Sequence, residues 1–110
     1  MVLLFDIFTN DKVLFMQFSE ELARYGDTKL VSEPQIFGTN YFVLLAFGGC
    51  DSKLLIDNLK DIADKLSSER EKETGKVSMM RFCAFRITEC IGSLQEDVKD
   101  WLENYLNNNC

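Results

Sequence analysis

Residues 1–8, MVLLFDIF, place apolar side chains at both parities, interrupted only by Asp6. A short run that is apolar on both faces suits a strand covered on two sides, and a strand is predicted there. Thr9, Asn10 and Asp11 follow as helix-capping residues. Leu14, Phe15, Phe18, Leu22 and Tyr25 then recur at helical spacing, which predicts a first helix with Gly26 as its stop. Residues 28–37 read as a second strand. Pro34, the only proline, marks it as an edge or bulged strand. Gly38, Thr39 and Asn40 supply a turn, and Tyr41 to Phe47 form a nearly all-apolar third strand that ends at Gly48 and Gly49.

From Asp51 onward, Leu55, Leu59, Ile62 and Leu66 stack along one stripe that Ile56 and Ala63 widen, predicting a second helix. The polar run SSEREKETGK, residues 67–76, is expected to fray into a solvated loop. Val77 to Thr88 reads as a fourth strand. Ser93 and Glu96 make an S-x-x-E capping box, which opens a third helix with Leu94, Val98, Trp101, Leu102 and Tyr105 on its apolar face. The order βαββαβ followed by α predicts an α+β, ferredoxin-like arrangement: a four-stranded antiparallel sheet, its first and third strands central, with two helices on one face. At 110 residues the chain is expected to be one domain, 1–110, with 107–110 a disordered tail.

This pattern leaves one fork. The central strands are apolar on both sides, and two helices cover only one of them. Either the third helix covers the other, making Trp101 and Tyr105 core, or an apolar patch stays open as an interface.

Charge narrows the choice of partner. Twelve Lys and Arg stand against eighteen Asp and Glu, a net charge of −6. Nucleic-acid affinity arises mainly from cations displacing counterions, so that balance disfavours it. It equally disfavours an anionic membrane surface and favours a protein partner with a basic surface. The opening MVLLFDIF is too short for a membrane span and has no basic flank, so neither a span nor a signal peptide is expected. Cys50, Cys83, Cys90 and Cys110 form no C-x-x-C pair, and the chain has no histidine. No cofactor is therefore expected, and the cysteines are expected to be free thiols in a reducing cytoplasm.

Three features carry candidate chemistry. Cys50 precedes the second helix, where the helix dipole lowers a thiol pKa, but without histidine it lacks a general base. No catalytic residue is assigned, and Cys50 is the runner-up. Asp6 is the runner-up for a metal, with Asp11 and Asp51 as the other carboxylates near strand ends. The simpler expectation for Asp6 is an ion pair with Arg81 or Arg86 on the neighbouring strand. Acidic faces on the second helix (Asp57, Asp61, Asp64) and the third (Glu96, Asp97, Asp100, Glu103) could occupy a basic groove by mimicking phosphates, as small viral inhibitors do, if they lie side by side. Tyr41, Phe42 and Phe47 are the aromatic binding candidates.

Two resemblances bear on function. Leu4-Phe5, together with Phe42 and Phe47, is similar in type to the aromatic motifs of RNA recognition motifs, whose rings stack on bases; Phe18 through Tyr25-Gly26 resembles the end of that family's first helix. That likeness implies RNA binding. Asn40-Tyr41, however, stands where the family's third-strand motif opens with a basic residue and glycine. LLFDIF resembles the first strand of small ferredoxin-like CRISPR-associated proteins, which implies a dimeric, metal-dependent nuclease using Asp6. Both remain alternatives to the main expectation: a non-enzymatic acidic protein-binding domain, an inhibitor or regulatory subunit, with homodimerisation through the open sheet face as one mode.

Overall fold

The computed structural model describes residues 1–50 and 53–107. Asp51, Cys110 and the tail 108–110 lie outside them. The elements in chain order are β1 (Val2–Thr9), α1 (Lys12–Ala23), β2 (Asp27–Leu30), β3 (Gln35–Phe37), β4 (Asn40–Gly48), α2 (Lys53–Thr74), β5 (Met80–Ile87) and α3 (Glu96–Asn107). The strands form one antiparallel sheet of order β2-β4-β1-β5, with β3 also paired to β4. This mixed α+β order is consistent with a ferredoxin-like fold.

The predicted second strand is two strands on one edge. Leu30 pairs with Leu45 and Gln35 with Phe42, so the four residues Val31–Pro34 span the two residues Val43 and Leu44. Pro34 has no N–H to offer a ladder, and the chain bulges there. An insertion of two leaves the side-chain parity unchanged.

Odd residues of β1 and β4 face α1 and α2. Leu3, Phe5, Ile7, Val43, Leu45 and Phe47 pack there with Leu14, Phe18, Leu22, Leu55, Leu59, Ala63 and Leu66 into the main core. Phe5 and Phe18 meet edge to face at 5.9 Å. Gly26 does not stop α1 through a positive φ. Its lack of a side chain instead lets the chain pass close over Gly48 and the Phe47 ring. The helix closes at Arg24, whose N–H donates to the Glu21 carbonyl while the next N–H, of Tyr25, donates to the Leu22 carbonyl.

Residues 67–74 are helix, not loop. Glu, Arg and Lys are good helix formers, and Arg70 anchors that turn from a distance. Its guanidinium Nε donates to Asp11 Oδ2 at 2.7 Å and Nη1 to Glu73 at 3.1 Å. Asp11 also caps α1, accepting from the Val13 and Leu14 N–H groups, and takes the Ser78 hydroxyl at 2.9 Å. Asn10 and Thr9 complete the clasp. Asn10 accepts from Met79 N–H and donates to the Val77 carbonyl, and the buried Thr9 hydroxyl donates to the Met79 carbonyl. One polar knot thus joins the end of β1, the start of α1, the end of α2 and the approach to β5.

Burial is the largest influence on the Asp11 carboxyl and pushes its pKa up; the bonds from Arg70, Ser78 and Leu14 together outweigh it, and the net shift is downward. Removing the cap costs about 1 kcal/mol, and the charged bonds about as much again or more. Asp11→Ala is expected to lower stability by about 2–4 kcal/mol in urea denaturation. A carboxyl with a lowered folded pKa stabilises above its unfolded value of 3.8 and ceases to as pH falls through the folded value. The stability gap between wild type and Asp11→Asn should therefore narrow below that pH.

Candidate protein-binding face

The second sheet face carries the even residues of β1 and β4 and, by register, the odd residues of β5. The fork left by the sequence resolves as half and half. At one end α3 docks, with Val98 and Leu102 buried against Val2 and Ala46, and Trp101, Tyr105, Leu106, Val31 and Ile87 partly buried around them. Gly48 allows this approach, since a Cβ there would meet the Tyr105 ring at 2.5 Å. The Tyr105 hydroxyl donates to Asp27 on β2, a bond that raises the Tyr105 pKa. Lys29 pairs with Asp97 at 3.3 Å, lowering the Asp97 pKa. The Trp101 and Tyr105 rings meet at a tilt, their centroids 4.7 Å apart. The helix starts at Glu96, three residues after Ser93, so Ser93 is not its cap and lines the cleft beside it instead.

The other end lies open. Register places Asp6 between Leu44 and Cys83, and Phe8 between Phe42 and Arg81. The Phe8 and Phe42 rings lie 4.9 Å apart, and Phe37 meets Phe42 edge-on at 5.6 Å. Phe37 is 62% exposed, Phe85 51% and Phe42 40%. Where the open half meets α3, an apolar cleft of about 290 Å³ is walled by Leu4, Val31, Ala46, Ile87, Ile91 and Leu94. The cleft and the Phe8, Phe42 and Phe37 rings lie on the same face of the sheet.

The sequence-stated sites scatter over this frame. Phe42 is on the open face, but Phe47 is fully buried beneath the helices and is not a contact residue. Tyr41, half-buried, has the parity of the helix-covered face. Asp57, Asp61 and Asp64 are exposed on α2, while Glu96, Asp97, Asp100 and Glu103 are exposed on α3. Because α2 and α3 pack on opposite faces of the sheet, the two acidic rows form no common ridge.

Asp6 is exposed and makes no ion pair with Arg81 or Arg86 among the described residues. Strand geometry explains this: Arg86 belongs to the opposite face, and the open face lets Asp6 hydrate instead of demanding a partner. Asp11 is committed to the α1 cap and Arg70. Among the described residues no three acidic or cysteine side chains gather as metal ligands. Cys50 is disulfide-bonded, so it is not the expected free thiol and offers no thiolate nucleophile, whereas Cys83 and Cys90 are free. No helix among the described residues is long and apolar enough to cross a membrane.

Phe37, Phe85 and Cys83 are exposed residues that sequence reasoning missed, as it did the half-buried Phe8. Asp6 was the available signal: a carboxylate inside a strand marks its parity as the one open to water.

Leu102→Ala should cost about 2–4 kcal/mol by loosening α3, whereas Phe42→Ser should cost less, about 1–2 kcal/mol, since the ring is already 40% exposed. Urea midpoints measure both. Comparison with protein-family models, curated proteins and solved structures finds no match for this chain.

Proposed function

We propose that this chain is a non-catalytic protein-binding domain of ferredoxin-like topology, and that the open half of its sheet docks a partner protein. The Phe42 ring, 40% exposed and in contact with both Phe8 and Phe37 on a sheet face that also carries an apolar cleft, supports this most directly. The α3 half of the same face supports it too, because it illustrates what such a surface demands: Val98 and Leu102 fill the equivalent position by burying themselves on it. Asp6 in the patch fixes orientation, since a partner must meet its carboxylate with a donor or leave it at the rim. The acidic outer faces of α2 and α3 act as solvated flanks that favour a basic partner.

An RNA-binding alternative has one observation in its favour. The ring pair Phe8–Phe42 joins the two central strands, as a base-stacking platform would. Against it stand the net charge of −6 and the carboxylate of Asp6 on the same face.

Immobilised wild type and Phe8→Ser/Phe42→Ser, both checked for folding by circular dichroism, separate these readings when each is exposed to source-cell extract. A stoichiometric protein retained by wild type and lost by the double variant is expected. Retention by both variants alike overturns the docking face. Binding of single-stranded RNA at low salt that weakens steeply as salt rises and vanishes in the double variant would replace protein binding with RNA binding.

A further inference from the structure

We infer that the outer edge of β5 accepts an extended acidic segment of a partner protein as an added strand. β5 pairs with β1 and with no other strand of the sheet. The Asn10 N–H donates to the Met79 carbonyl, and in this register that assigns the backbone groups of odd β5 residues to β1. Met80, Phe82, Ala84 and Arg86 therefore turn their N–H and C=O groups outward. The edge is eight residues long and carries no proline. Such an edge is a template for strand addition.

Charge selects the occupant. From Lys76 to Thr88 the chain contains Lys76, Arg81 and Arg86 and no acidic residue, inside a protein of net charge −6. Arg24 and Arg70 are ion-paired, while Arg81 and Arg86 are exposed and pair with no described acid. Arg81 stands on the open face and Arg86 on the helix face, five positions apart. An added strand matches both if it carries Asp or Glu at positions separated by five, because an odd separation puts them on opposite faces. Residues between them meet Phe82 and Phe85, so β-branched or aromatic side chains belong there. Asp6, on the far side of β5, lies two strand spacings from the added strand, about 10 Å or one Debye length, and the exposed Glu89 stands past the end of β5, three residues beyond Arg86.

This edge is separate from the ring cluster on the central strands, so each can fail alone. The probe is a fluorescein-labelled octapeptide with glutamates five apart and valine and threonine between them, read by anisotropy. Saturable binding that weakens with salt is expected, with little or none for the same peptide carrying lysines. Arg81→Glu/Arg86→Glu should lose about tenfold or more in affinity for the acidic peptide and gain affinity for the lysine one. Ala84→Pro, which removes an outward N–H, should abolish both, with folding verified by circular dichroism. Phe42→Ser should bind like wild type. Equal binding of the two peptides, or none of the acidic one, overturns the inference. Self-association by light scattering that Ala84→Pro abolishes also overturns it, since a second copy would then hold the edge.

Discussion

A sheet whose two central strands are apolar on both faces needs two covers, and this chain supplies one and a half. α1 and α2 close the first face with a continuous core from Leu3 to Leu66. α3 has twelve residues, about 18 Å of helix, against strands of eight and nine residues that run about 26–30 Å. It can shield one end of the second face and no more. The aromatic cluster, the cleft and the exposed Asp6 all follow from that shortfall in length.

What α3 does cover, it covers by close approach. Gly48 gives the Tyr105 ring room on the backbone of β4, and Asp27 holds the ring's hydroxyl from the sheet edge. The fastening is local to the Val2–Ala46 end. At the opposite end the sheet is tied to the helical layer by the Asp11–Arg70 knot, on the far side of β1 from the open rings. The open half thus lies between two secured regions of the sheet.

Among the described residues no three acidic or cysteine side chains gather as metal ligands. The carboxylates that the sequence offered are distributed to other tasks: Asp11 caps and pairs, Asp97 meets Lys29, and Asp6 stands alone on the sheet. The two unpaired arginines of β5 are the converse case, cations without a described acid at an edge with free backbone groups.

Periodicity was enough to locate the helices and the central strands, because Leu14, Phe18 and Leu22, or Leu55, Leu59 and Leu66, obey a helical spacing, although the predicted Ser93 cap did not hold. Pro34 likewise announced the broken edge. The extent of α2 was hidden, since a polar turn such as SSEREKET is helix or loop according to whether Arg70 finds Asp11, fifty-nine residues away. Which aromatic rings stay wet was hidden as well. Phe42 and Phe47 look alike in the string, yet their parities put one on each face, and the reach of α3 then decides that Phe42's end stays uncovered. Local sequence determines the elements and their apolar stripes; long-range packing alone determines which stripe remains without a cover.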